Sequence, residues 1–389
     1  MQHGVPRVSA AVPSEQSRQK ELKKIEQYQQ LVETVQSKFQ AHEYTAETLA
    51  LTSKLLNENP EYYTIWNYRR RLLQDVFEKE LAKGATGEER DDVADQRARG
   101  LLSSAQHEIL LLIKEDLTFL LPLLKTFPKC YWIWNHRAWL LQQASRHLPP
   151  ATARQLWQGE LALVGKMLGY DSRNFHGWGY RRTVVRALEE TAQKEVEEQK
   201  CENQAGEVGT KGHSMTEEEF AYTTKMIKTN LSNFSAWHNR SQLIPKLLDE
   251  RSADGATRRK MLDDEFELIT QALYTDPYDQ SLWFYHQHLL TTLSLKVPSK
   301  FAYVLDLTNE DRMHYLDQEI DSVKDMLDAT DDCKWIYQAL LTLAIQYPEI
   351  DAGNKRFSTL EMRSWLDELE KLDPLRKGRW DDWRKSLNL

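Results

Sequence analysis

Cysteine is both a common zinc ligand and a soft nucleophile, so Cys130, Cys201 and Cys333 are the first residues to weigh. They are few and far apart, without the close pairs that a structural zinc site or a disulfide framework needs. No cluster of Cys, His and Asp at near spacing stands elsewhere in the chain. The remaining candidates for chemistry are cationic. Lys129 stands two residues before Tyr131, and a compact ammonium suits a point-charge role toward phosphate oxygens. On spacing alone Lys129 reads as a solvated lysine, and Tyr131 as a packing aromatic. His176 lies between Phe175 and Trp178, where the plain alternative is a histidine satisfied within the fold. Arg69, Arg137, Arg181 and Arg240 each follow a tryptophan by three residues. Packing of their stems on the indoles and hydrogen bonds to neighbouring segments account for them, with acidic groups of a partner as the other option.

These residues sit in a repeat. Tyr63-Thr-Ile-Trp66-Asn-Tyr-Arg69, Tyr131-Trp-Ile-Trp134-Asn-His-Arg137, Phe175-His-Gly-Trp178-Gly-Tyr-Arg181 and Phe234-Ser-Ala-Trp237-His-Asn-Arg240 share one pattern of aromatic, tryptophan and arginine. Gln280-Ser-Leu-Trp283-Phe-Tyr-His286 keeps the tryptophan, and Asp332-Cys-Lys-Trp335-Ile-Tyr-Gln338 is degenerate. Spacing of i, i+3 and i+6 predicts that aromatic, tryptophan and arginine share one helix face. Pro60, Pro128 and Pro277, each six residues before a tryptophan, fit the first turn of those helices. An amphipathic stretch such as Phe266–Leu273 precedes each copy. Each copy therefore predicts a helical hairpin that cannot bury its apolar side alone, and stacking the hairpins gives an all-α superhelix, a solenoid.

Composition agrees. The 389 residues include only 15 Gly and 12 Pro, and good helix formers are plentiful. The repeats predict a single helical domain over residues 15–389, with residues 1–14 flexible and surface excursions at about 82–100 and 195–213. Thr86…Glu89 and Ser214…Glu217 read as capping boxes that reopen helices. Leu22, Ile25, Tyr28, Val32, Val35 and Phe39 form a stripe on a helix expected to cap the open end of the stack. A net charge of −8 argues against non-specific nucleic-acid binding. No stretch approaches the roughly 18 apolar residues of a membrane span. Met1 to Ser14 carries no apolar run of the signal-peptide kind, so a reducing, cytoplasmic setting is expected.

The repeat resembles that of the protein prenyltransferase α subunits, from about Leu22 to the end of the chain. Arg173–Arg182, Asn233–Ser241 and Asp276–His286 are similar to the Rab geranylgeranyltransferase branch in particular, as are His3-Gly4 and the Pro122–Lys129 region. The resemblance implies a subunit inactive without a β subunit, which carries the zinc and most of the lipid pocket. The pair would transfer geranylgeranyl from geranylgeranyl diphosphate to C-terminal cysteines of Rab GTPases presented by a Rab escort protein; magnesium dependence stays open. By the same resemblance Lys129 matches a lysine that reaches the diphosphate, with Tyr131 beside it and His176 at a position near the lipid diphosphate. The farnesyl branch has tyrosine where this chain has Phe175, which removes a hydroxyl contact. His3 is a further candidate, for contact with the partner's zinc. The animal members' immunoglobulin-like and leucine-rich domains have no counterpart here, so the shorter fungal type is expected. The alternatives are the α subunit shared by farnesyltransferase and type I geranylgeranyltransferase, and a scaffold without catalytic role.

Overall fold

The computed structural model describes residues 14–86, 102–202, 214–351, 353 and 356–389, and among these there are fifteen α-helices and no strand. They fall into two compact units, residues 1–213 and 214–389, where the repeats predict one domain. The first unit holds α1 (Glu15–Gln40), α2 (Ala46–Glu58), α3 (Tyr63–Thr86), α4 (Ser104–Thr126), α5 (Tyr131–His147), α6 (Pro150–Tyr170) and α7 (Phe175–Glu202). The second holds α8 (Thr216–Thr229), α9 (Phe234–Glu250), α10 (Gly255–Thr275), α11 (Gln280–Thr292), α12 (Asn309–Ala329), α13 (Lys334–Ile350), α14 (Thr359–Leu372) and α15 (Lys377–Ser386). Within each unit the helices pair as hairpins, such as α6 with α7 and α12 with α13, and the hairpins pack on their neighbours.

The repeated tryptophan is the hairpin's clamp. Its indole is buried in each strong copy, and Nε1–H donates to the carbonyl six residues back, in the turn between the two helices. The pairs are Trp66 to Pro60 at 2.8 Å, Trp134 to Pro128 at 2.8 Å, Trp178 to Ser172 at 2.9 Å, Trp237 to Leu231 at 2.7 Å and Trp283 to Pro277 at 2.7 Å. The prolines therefore stand outside the helices they were expected to open. Each supplies a turn carbonyl, and the helix starts three residues later. At the degenerate copy the clamp passes to Tyr337, whose hydroxyl donates to the Asp331 carbonyl at 2.6 Å. A seventh hairpin, α14 with α15, repeats the device, with Trp380 Nε1–H donating to Asp373 O at 3.1 Å.

The aromatic residue of the pattern does not share the buried face. Tyr63, Tyr131, Phe175 and Phe234 are the first residues of their helices and are exposed. A side chain on the opening residue projects past the end of the neighbouring packing, whatever its helical phase.

Arg69, Arg137 and Arg240 join one hairpin to the next. Arg69 Nε donates to Asp116 Oδ1 at 2.8 Å, Arg137 Nε to Glu160 Oε2 at 3.0 Å and Arg240 Nε to Glu265 Oε2 at 2.8 Å, all buried. Each acid lies on the first helix of the following hairpin and takes a second bond from that hairpin's own second helix. Those donors are His136 to Asp116 at 2.7 Å, Tyr180 to Glu160 at 2.6 Å, and Tyr285 to Glu265 at 2.5 Å. His286, in the arginine's place, meets Glu319 at 2.8 Å. Removing polar groups from water is costly unless they are fully paired, so this ladder requires one stacking register.

Several boundary readings change. The helix α3 runs through Thr86 and α7 through Glu202, into both stretches read as excursions; the remainder of those stretches lies outside the described residues. Thr86 closes a helix, and a capping box instead opens α4, between Ser103 and Gln106. Ser214 stands ahead of the α8 cap residue, Met215, and its Oγ accepts from Thr216 N at 3.2 Å and donates to Glu250 Oε1 at 2.8 Å. Glu217 pairs with Arg251 at 2.7 Å. On α1, Val35 is buried and Phe39 packs edge-on against Tyr68 at 4.7 Å, whereas Leu22 and Ile25 are exposed. Among the described residues, cover reaches only the later part of the expected stripe.

Candidate functional site

Three of the four candidate site residues gather where two hairpin turns meet in the first unit. Lys129 lies in the turn between α4 and α5, with its side chain about half exposed, and Nζ stands 3.6 Å from Asp171 Oδ2. Asp171 belongs to the next turn, between α6 and α7, and its Oδ1 also accepts the Arg173 amide at 3.3 Å. An ion pair of this length and exposure contributes about 0–1 kcal/mol, so Asp171 restrains the ammonium without occupying it. Tyr131 opens α5, half exposed, and its ring centre lies 5.9 Å from that of His176 in the first turn of α7. His3 lies outside the described residues.

An aromatic shelf surrounds this group. Tyr63 stacks at a tilt on Trp132 at 5.4 Å, and Trp132 meets Tyr131 edge-on at 5.2 Å. Phe175, exposed to 73%, projects beside His176. The Tyr131 hydroxyl is tied back: it accepts from Asn135 Nδ2 at 3.0 Å, and Asn135 Oδ1 accepts from Arg70 Nη2 at 2.9 Å. The α7 start is closed as an anion cradle, because Asn174 Oδ1 already accepts the amides of His176 at 3.0 Å and Gly177 at 3.1 Å. At this helix start, positive charge for an incoming anion falls to side chains, and Lys129 places an ammonium here.

The site offers an ammonium, a hydroxyl, an imidazole and apolar rings on an open surface. Among the described residues, no three His, Cys, Asp or Glu side chains come together as a metal site. Cys130 is no nucleophile: burial pushes its thiol up to about 11, and Sγ donates to the Pro60 carbonyl at 3.4 Å. A concavity of about 410 Å³ in the other unit is lined by Phe234, His238, Phe284 and His288 among others. No lysine or arginine lines it, so it does not duplicate the first site.

Spacing did not reveal Asn174, Asp171, Asn135 or Arg70. Asn174 stands in a segment singled out for other reasons, and asparagine immediately before a helix is itself a capping signal.

The sequence matches the family described as protein prenyltransferase alpha subunit repeat over residues 45–76, 113–144, 157–188, 216–247 and 262–293. The Candida albicans geranylgeranyl transferase type-2 subunit alpha is 31% identical over 98% of this chain and 97% of its own length. The Saccharomyces cerevisiae protein of the same name is 33% identical over 94% of this chain and 93% of its own length. This chain belongs to the type-2 geranylgeranyl transferase α-subunit family. Both fungal relatives are spanned almost end to end, as expected for the shorter type. Among solved structures, a Candida albicans protein geranylgeranyltransferase-I in complex with GGPP has a TM-score of 0.56, covering 93% of this chain and 90% of that one; at 19% identity this is a likeness of fold. The matched repeats each contain one clamp tryptophan from Trp66 to Trp283. The hairpins of Trp335 and Trp380 extend the series beyond them.

Among the described residues, no helix is long and apolar enough to cross a membrane. Family membership implies a β-subunit partner.

Proposed function

We propose that this chain, paired with a β subunit in the cytoplasm, transfers geranylgeranyl from geranylgeranyl diphosphate to C-terminal cysteines of Rab GTPases delivered by an escort protein. The observation that carries the reading is the convergence of Lys129, Tyr131 and His176 at adjacent hairpin turns, in a chain whose relatives bear the type-2 name.

Transfer joins the cysteine sulfur to C1 of the isoprenoid, while the C1–O bond breaks and its electron pair leaves with diphosphate. In this reading the partner holds the zinc that keeps the thiol as thiolate. The α chain acts on the leaving group. Lys129 directs its ammonium at the diphosphate oxygens as charge builds on them, an interaction stronger in the transition state than in the ground state. Tyr131, fixed by Asn135, and His176 supply hydrogen bonds to the same group. Tyr63, Trp132 and Phe175 form an apolar rim for the partner, because exposed aromatic clusters favour being covered.

The test is a competition. The heterodimer should modify a Rab with its escort far better than a peptide ending in a CaaX tetrapeptide, and either subunit alone should be inactive. Equal or better use of the peptide points to the shared α subunit of the CaaX-directed enzymes. Full activity of a heterodimer with all three site residues replaced leaves a scaffold.

A further inference from the structure

Asn174 links the two turns that carry the site. Its side chain is buried, with 3% exposure. The Oδ1 atom accepts from the amides of His176 and Gly177, at 3.0 and 3.1 Å, and so caps α7. The Nδ2 atom donates in the other direction, to the carbonyl of Pro128 at 2.9 Å. That carbonyl belongs to the peptide bond whose nitrogen is Lys129. Its second lone pair is taken by Trp134 Nε1–H at 2.8 Å, so both acceptor positions of this oxygen are filled.

The consequence is geometric. The Trp134 bond lies within one hairpin and holds the turn to α5. The Asn174 bond crosses to the next hairpin and holds the same turn to the start of α7. It is the cross-hairpin bond that fixes where Lys129 leaves the backbone relative to His176. Close packing of α7 on α6 supports it, because a Cβ at Gly177 would stand 3.0 Å from Leu168 Cδ2.

We propose that Asn174 is a positioning residue for prenyl transfer: through the Pro128 carbonyl it sets Lys129 in register with His176 at the leaving diphosphate. The proposal rests on the diphosphate role assigned to Lys129 above. Misplacement of a reacting group by about 1 Å costs on the order of a hundredfold in rate, so loss of this bond should appear in the chemical step.

Two variants separate the bridge from the cap. Asn174→Ser keeps an oxygen that caps α7 and is too short to reach Pro128. Asn174→Asp keeps the cap and sets a carboxylate oxygen against the Pro128 carbonyl. Each is assembled with the β subunit, and melting temperature, dissociation constant for geranylgeranyl diphosphate and single-turnover transfer rate are measured. Each is also combined with Lys129→Ala.

The expected result is a single-turnover rate lowered about tenfold or more for Asn174→Ser, and further for Asn174→Asp. The lipid dissociation constant stays within about twofold, since the contact strengthens chiefly in the transition state. On the Lys129→Ala background the same substitutions change the rate by less than about twofold, because the ammonium they misplace is gone. Equal slowing on both backgrounds overturns the positioning role and leaves the leaving-group reading of Lys129 intact. An unchanged rate for Asn174→Ser in a normally assembled heterodimer overturns it too. If Lys129→Ala alone transfers lipid at the parent rate, the reading of Lys129 falls and this proposal with it. If the Asp variant does not assemble, the Ser variant alone decides.

Discussion

Arg137 on α5 and Glu160 on α6 form a two-point ion pair closed off from solvent, with Nε 3.0 Å from Oε2. Arg137 Nη1 also donates to the Leu117 carbonyl at 2.9 Å, and Tyr180 completes Glu160 at 2.6 Å. Every member is satisfied, so removing one leaves a buried charge without its counterpart. Glu160→Leu should destabilise the first unit by about 3–5 kcal/mol, whereas Arg137→Met with Glu160→Leu should cost less than Glu160→Leu alone. Denaturant unfolding of these two variants and of Arg137→Met alone measures this. A double variant as unstable as the sum of the singles contradicts it.

The indole clamp can be tested by a substitution that keeps an aromatic ring. Trp283→Phe removes the 2.7 Å bond to the Pro277 carbonyl and leaves an aromatic in the core. The lost hydrogen bond, together with the lost ring area, should cost about 1–3 kcal/mol, with the Cys333 thiol still donating to the same carbonyl at 3.1 Å. The measurement is the shift in unfolding midpoint. No shift would mean that packing and the Cys333 thiol hold the turn without the indole bond.

Much of this architecture is legible in the sequence, because the clamp recurs at fixed spacing. A buried residue type that repeats with its turn and its arginine announces a hairpin each time. The acids are legible as well, since Asp116, Glu160 and Glu265 each stand 18 residues before Trp134, Trp178 and Trp283, with Glu319 16 before Trp335. That they meet the preceding hairpin's arginine is not, because that distance varies along the chain. The last hairpin also escapes, although Pro374 stands six residues before Trp380, because no arginine follows in register. Exposure of Tyr131 and Phe175 depends on where the helix begins, and helical phase does not report that. At the site, Lys129 and His176 stand out by resemblance. Asn174 does not, because its meaning lies in a carbonyl on another hairpin.

Acid should weaken the first unit through His136. Burial pushes this imidazole below its usual range against the pull of Asp116, with the Arg69 and Arg70 charges adding to the depression. The neutral ring donates from Nε2 to Asp116 Oδ2 at 2.7 Å and accepts from Arg70 Nε at Nδ1, at 3.4 Å. The unfolded chain takes up this proton near pH 6.5 while the folded chain resists it, so stability should fall as pH drops below about 6.5. Burial raises Asp116, but Arg69 and His136 outweigh it and hold the carboxyl at about 2. Its contribution is present above about pH 4 and is lost only toward pH 2. Melting temperature between pH 8 and 5 should decline less for His136→Gln than for the parent. Parallel curves would remove His136 as the cause.

The thiols of Cys130 and Cys333 should be inert in the folded chain. Cys130 and Cys333 are buried, both are raised by burial, and Cys333 Sγ donates to the Pro277 carbonyl at 3.1 Å. Thiolate is the reactive form, so N-ethylmaleimide at neutral pH should leave both unmodified until denaturant is added. Peptide mapping after brief exposure checks this, and rapid native labelling of either would contradict the packing of these turns.

The central claim is that this chain stabilises the departing diphosphate with Lys129, and single-turnover transfer by the Lys129→Ala heterodimer tests it most directly. Loss of an interaction made mainly in the transition state should slow transfer by about ten- to a thousandfold, or about 1.4 to 4 kcal/mol, with assembly intact. Lys129→Arg should recover part of that rate, since a planar fork does not place charge where an ammonium does. A normally assembled Lys129→Ala heterodimer that transfers lipid at the parent rate would make Lys129 an ordinary surface lysine and reduce the α chain to a scaffold.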